Sequence, residues 1–212
     1  MVLNRTEAGK LLAQKLTQYA HRNDVLVLAL PRGGVPVAFE ISEALKAPLD
    51  LVLVRKLGLP GREEFAMGAI ASGGIEILNE EIIDKLNISG SAIEKARDEQ
   101  SIELARREKA YRGESNWPRY KADCIILIDD GLATGYSMRV AIEAIRNLDP
   151  KKIIVAVPVA AKDTLQDISV LVDETVCLAT PEQFIAVSKW YIEFNQISDE
   201  EVNRLVQMAW KR

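Results

Sequence analysis

The segment CIILIDDGLATGYSM, residues 124–138, places two adjacent carboxylates at the end of an apolar run and follows them with small residues, hydroxyls and a helical pattern. Each part has its own chemistry. In Ala133-Thr134-Gly135-Tyr136-Ser137 the small side chains let backbone N–H groups approach an anion, Thr134 and Ser137 add hydroxyl donors, and the following helix adds its positive end. That suits a phosphate monoester. Asp129 and Asp130 cannot bind such a phosphate themselves, but they can accept hydrogen bonds from vicinal hydroxyls and hold hydrated magnesium. A sugar phosphate satisfies both halves.

Two basic clusters could meet further oxyanions. Arg32-Gly33-Gly34, after the apolar run VLVLAL, offers bare backbone N–H groups beside a guanidinium, and Arg55-Lys56 follows a second run ending at Val54. Taken alone, each fragment has a plainer use: the acids can cap a turn, the glycines can serve an ordinary strand-to-helix turn, and the basic pair can be a solvated strand end. Glu63 and Glu64 are acids in a loop and receive no role.

The elements that must position these residues follow from hydrophobic periodicity. Continuous apolar runs at 25–30, 49–54, 124–128 and 153–159 read as buried strands, with a short fifth at 176–178 and a hairpin over 65–78. Helical spacing appears over 4–19, where Asn4 and Glu7 form the cap, and after each strand-end loop; Ser198 with Glu201 caps a last helix. The charged segment 79–115 reads as a helical insertion. Buried strands alternating with helices imply an α/β fold, a mostly parallel sheet covered by helices on both faces, with ligands at the carboxyl ends of its strands.

A chain of 212 residues with 48% hydrophobic and 27% charged residues supports one domain, 1–212, rather than two. Its 27 basic against 31 acidic residues give a net charge of -4, which provides no field for nucleic acid. No apolar run is long enough for a membrane span and the first residues lack a signal-peptide layout, so a soluble cytoplasmic protein is expected. Cys124 and Cys177 read as core thiols, and the single His21, placed after the first helical pattern, reads as a partner for that helix's C-terminus. Walker and Rossmann phosphate loops are absent, and Gly131 stands where a haloacid-dehalogenase-like phosphatase would carry its second aspartate.

Over Ile125 to Ser137 the sequence resembles the phosphoribosyl diphosphate (PRPP) motif of the type I phosphoribosyltransferases, with Gly131 in place of the usual aliphatic residue. Arg32-Gly33-Gly34 resembles the diphosphate loop of the xanthine-guanine enzymes, and VRKLGLPG, residues 54–61, resembles a stretch of the adenine enzymes. Residues 58–74 fall in the place of the family's flexible catalytic loop. TPEQFIAVSKWYIEFNQ, within a hood over about 172–198, resembles that of the hypoxanthine-guanine enzymes, although it is longer before Glu193 and lacks their Gly-Tyr pair.

The resemblance implies magnesium-bound PRPP with its 5-phosphate on Ala133, Thr134, Gly135, Tyr136 and Ser137, and its diphosphate on Arg32, Gly33, Gly34, Arg55 and Lys56. Asp129, Asp130, Arg32 and Lys56 would carry the chemistry. Asp129, Asp130 and Glu193 would hold Mg2+, partly through water. Lys162, Phe184 and Trp190 would receive a nitrogen acceptor, a purine-like base as the leading expectation. Trp190, Tyr191 and Phe194 have a core or dimer cluster as their alternative, a homodimer being one expected assembly. The rival for the whole reading is a non-catalytic PRPP- or nucleotide-binding regulator on the same fold.

Overall fold

The central apolar runs that read as strands are buried on both faces, as a parallel sheet requires, while the edge strand at 174–179 is half-buried. In the computed structural model, which describes residues 1–113 and 117–211 apart from the side chains of Glu63 and Glu64, these runs form β1 (Val25–Ala29), β2 (Leu49–Leu51), β6 (Cys124–Ile128), β7 (Lys152–Val159) and β8 (Glu174–Ala179). They pair in parallel in the order β2-β1-β6-β7-β8. Side-chain alternation divides the interior into two cores. Val25, Val27 and Ala29 face α1 (Arg5–Lys15), α2 (Gly34–Leu45) and α7 (Asp199–Trp210), whereas Leu26 and Leu28 face α5 (Tyr136–Arg146) and α6 (Lys162–Ser169).

The chain leaves β1 toward β2 on one side, while β6 lies on the other, so the topology reverses between β1 and β6. A crevice opens at such a switch point. The register pairs Val25 with Cys124 and Ala29 with Ile128, and the two strands therefore end level, side by side with the loops that begin at Leu30 and Asp129.

Several boundaries differ from the sequence expectation. The run at 49–54 is two strands: β2 ends at Leu51, and Val54 begins β3 (Val54–Leu59), which joins β4 (Arg62–Ala71) and β5 (Ile75–Leu78) in an antiparallel sheet. The split occurs where Leu53 changes partner, its N–H donating to Ser72 Oγ at 3.0 Å and its carbonyl accepting from Ser72 N–H at 2.9 Å. The hairpin expected over 65–78 is present as β4 and β5, and residues 58–74, in the place of the family's flexible loop, are therefore mostly strand, with a register shift at Gly58. The first helix ends at Lys15 and a 3-10 turn, Thr17–Tyr19, follows it, so His21, at φ 59°, lies outside the helix it was expected to cap.

The insertion is α3 (Glu80–Lys85) and the 23-residue α4 (Gly90–Arg112), its expected last residues, 114 and 115, lying outside the described part. It is not a loose appendage. Arg112 Nε makes a buried ion pair with Asp50 Oδ1 at 3.0 Å, and both Arg112 and Trp117 donate to the Leu51 carbonyl, covering the exposed edge of β2. At the opposite end of the sheet, residues 174–179 of the expected hood are β8 itself. Beyond Ala179 the chain turns through Val187–Trp190 and joins the N-terminal segment, where Ile192 N–H and Glu193 N–H donate to the Val2 and Leu3 carbonyls at 3.0 and 2.8 Å. No helix among the described residues is long and apolar enough to cross a membrane.

Candidate functional site

The loops after β1 and β6 meet at distances only glycine permits. A Cβ on Gly33 would stand 2.0 Å from Asp130 Oδ2, and one on Gly34 would stand 2.7 Å from the Ile128 carbonyl oxygen. The backbone of Arg32-Gly33-Gly34 therefore lies directly against the acid pair.

Asp129 is half-buried, and its Oδ1 accepts the Asp130 N–H at 2.8 Å. Burial pushes its carboxyl well above the ordinary carboxylate range, and the charge of Asp130 adds to the effect. Burial raises Asp130 too, but Arg5 opposes the rise. Arg5 Nε and Nη2 reach Asp130 Oδ2 at 2.8 and 2.7 Å, while its Nη1 donates to the Asn195 carbonyl at 2.8 Å and its guanidinium lies 3.9 Å from the Phe194 ring centroid. Tyr191 Oη donates to the Asp130 carbonyl at 2.6 Å. Tyr191 and Phe194 thus serve as packing for this clasp, the plainer of their two expected roles.

Sequence reasoning missed Arg5 altogether. A signal was present: Arg5 opens α1, where the helix dipole disfavours a cation unless an anion compensates. Its partner lies 125 residues away, beyond the reach of periodicity.

Past the acids, Leu132 is pinned between β7 and α6 by Leu132 N–H to Val159 O and Ala161 N–H to Leu132 O, both 2.9 Å. Gly131 leaves room for the hood, since a Cβ there would meet Val187 Cγ1 at 2.7 Å. Gly135 takes φ 69° at the start of α5, and Thr164 of α6 backs the loop by donating its Oγ1 proton to the Ala133 carbonyl at 2.7 Å. Ala133 and Thr134 are exposed and Tyr136 and Ser137 half-buried. The α5 N-terminus has no side-chain cap, so no side chain occupies its first N–H groups, the ones that can serve an anion.

The expected diphosphate cations separate. β3 points successive side chains to opposite faces. Lys56 Nζ lies 5.3 Å from the Tyr136 ring centroid, beside the phosphate-type loop, whereas Arg55 turns to α4 and donates through Nε and Nη2 to Gln100 Oε1 at 2.9 and 2.7 Å. A cleft of about 690 Å³ runs between them, walled by Arg55, Lys56, Gln100 and Ser137 among others. Arg32 Nη1 stands 3.6 Å from Asp199 Oδ1, to which Tyr111 Oη donates at 2.6 Å.

The expected acceptor residues are not gathered by any contact. Lys162 is exposed at the start of α6, Phe184 is half-buried in the hood, and Trp190 walls a different cleft of about 340 Å³ with Leu11, Val159 and Leu178, to which neither of the others contributes. Glu193 is exposed, its Oε2 3.5 Å from Asn4 Nδ2. Among the described residues no group of three or more His, Cys, Asp or Glu side chains could by itself hold a metal ion.

Comparison with known proteins bears on this arrangement. A family model described as phosphoribosyl transferase domain matches residues 3–191. Proteins from two strains of Mycobacterium tuberculosis, each carrying the name "Putative phosphoribosyl transferase", are 40% identical over 206 residues, 97% of this chain and 46% of theirs. The chain thus spans about half the length of these curated relatives. The crystal structure of the protein TT1426 from Thermus thermophilus is similar over 98% of this chain and 99% of its own, with 36% identity and a TM-score of 0.83.

Proposed function

The chain belongs to the phosphoribosyl transferase domain family, and on that premise we propose that it moves the 5-phosphoribosyl group of PRPP to a nitrogen acceptor, releasing diphosphate. One observation carries the reading: Asp129-Asp130 packs against Arg32-Gly33-Gly34 at the level ends of β1 and β6, and the acids lead straight into the loop that opens α5. That juxtaposition provides for a ribose with a phosphate on one side and a diphosphate on the other.

In this mechanism backbone N–H groups of 133–137, with the Thr134 and Ser137 hydroxyls, take the 5-phosphate. Asp129 and the Asp130 oxygen not engaged by Arg5 accept the ribose hydroxyls. Departure of diphosphate leaves positive charge at the anomeric carbon, which the acid pair stabilises, while Arg32 and Lys56 stabilise the leaving group. A nitrogen lone pair then forms the new bond from the opposite face. No covalent intermediate with the chain is required, and positioning supplies much of the acceleration.

Magnesium fits the hard oxygens of Asp129 and Asp130, which would hold it through water; Glu193, engaged with Asn4, is the weaker candidate. When bound, the ion neutralises charge on the diphosphate. A purine-like base is the proposed acceptor on the resemblance of residues 180–196 and Lys162 to the oxopurine enzymes, since Lys162, Phe184 and Trp190 share no cleft here. The partners in this reading are small molecules and the compartment is the cytoplasm.

PRPP with magnesium is expected to raise the melting temperature, and Asp130→Asn or Thr134→Val to abolish that rise. A panel of purines, pyrimidines and other nitrogen acceptors is then assayed for diphosphate release. Protection that persists in both variants removes the sugar-phosphate site, and protection without release across the panel points to a regulator that binds PRPP without turning it over.

A further inference from the structure

The insertion helix carries a row of polar residues that the mechanism above leaves unused. Gln100, Glu103, Arg107 and Tyr111 recur at three- and four-residue steps and so share one face of α4. At one end of this row Gln100 holds Arg55; at the other Tyr111 holds Asp199, the carboxylate that Arg32 faces. The row therefore links the two arginines expected at the diphosphate. Arg107 lies between the two ends, about 10 Å along the axis from Gln100 and about 6 Å from Tyr111 on the rise of an α-helix.

Arg107 is half-buried and donates through Nε to Glu103 Oε1 at 2.7 Å, a carboxylate it shares with Arg106. These two guanidiniums hold the Glu103 carboxyl down at about 2. Three half-buried cations, Arg32, Arg55 and Arg107, thus meet two anions, Glu103 and Asp199, an excess of one positive charge before the exposed Arg106 is added. The excess is felt locally. Arg55 is held below the ordinary arginine value, first by burial and then by the charge of Arg107, and Asp199 is drawn down by Tyr111 and by Arg32, Arg107 and Arg106. Half-buried cations in excess favour a polyanion with several oxygens to share among them.

We propose that Arg107 is a diphosphate-binding residue, supplied by the insertion and acting beside Arg32 and Arg55. The proposal rests on PRPP being the donor. Glu103 orients the guanidinium through Nε and leaves its terminal N–H groups to the ligand, so the insertion forms a wall of the site.

The test compares PRPP with ribose 5-phosphate, which has no diphosphate, by calorimetric titration of the full chain with magnesium. Arg107→Gln is expected to weaken PRPP about tenfold or more, the loss of one charge-assisted contact, and to leave ribose 5-phosphate unchanged. Arg106→Gln, at the more exposed neighbour, should change neither. Equal weakening of both ligands, or unaltered PRPP affinity, overturns the role of Arg107. A wild-type chain that binds ribose 5-phosphate but gains nothing from the diphosphate sinks this inference while sparing the phosphate loop, and one that binds neither sinks the donor assignment itself. Should Arg107→Gln melt early, Arg107→Lys supplies a second reading: it keeps the charge but loses the planar fork, and should weaken PRPP while leaving ribose 5-phosphate unchanged; unchanged PRPP affinity counts against the proposal.

Discussion

At the scale of the residue, Asp129 is placed where a carboxylate is costly. Its carboxyl is raised by burial first and by the neighbouring Asp130 second. An acid whose folded value lies above its unfolded one destabilises the fold when ionised: the penalty is absent below the ordinary carboxylate range, grows as pH climbs toward the folded value and is constant beyond it. Asp129→Asn keeps the acceptor for the Asp130 N–H and removes the charge. In metal-free buffer it should melt above the wild type at neutral pH, with the gap closing in acid and with PRPP protection lost. A gap that does not vary with pH would show that charge burial is not the cause. The acid pair and the loop to Ser137 were legible because their chemistry is contiguous in the chain. Arg5 was not, since nothing near it in sequence reveals the carboxylate it neutralises.

Among the elements, α4 shows how an insertion becomes structural. Its periodicity was readable and its docking was not, because the anchor is a buried pair between Arg112 and Asp50, 62 residues apart. Arg112→Ala leaves Asp50 buried with the Leu51 and Arg119 N–H groups but without its cation, and should cost about 3–5 kcal/mol in urea unfolding. Replacing both partners by apolar residues should recover part of that loss. If the single variant is as stable as the wild type, α4 is held by its apolar stripe alone. The split of the run at 49–54 was hidden for a related reason: Val52 and Leu53 are apolar in either sheet, and only the exchange of ladder partners at Ser72 marks the boundary. The same exchange puts Arg55 and Lys56 on opposite faces of an antiparallel ribbon rather than together at a parallel strand's end.

For the whole molecule, the mostly parallel sheet covered by helices followed from the alternation of apolar runs and helices, whereas the strand order and the crevice between β1 and β6 came only with the structure. The closure of the chain upon itself did not. The N-terminal segment lies along the hood through the carbonyls of Val2 and Leu3, and from both partners side chains descend to Asp130: Arg5 from one, Tyr191 from the other. The amide protons of Ile192 and Glu193 are therefore reporters of what happens at the ribose. Occupancy by PRPP should slow their replacement by deuterium, and Arg5→Gln should erase the slowing while leaving core amides untouched. If the hood amides keep the same isotopic clock with and without ligand, the clasp is mere scaffolding; if they slow, a spectroscopist can watch the sugar arrive through the seam that joins hood and N-terminal segment.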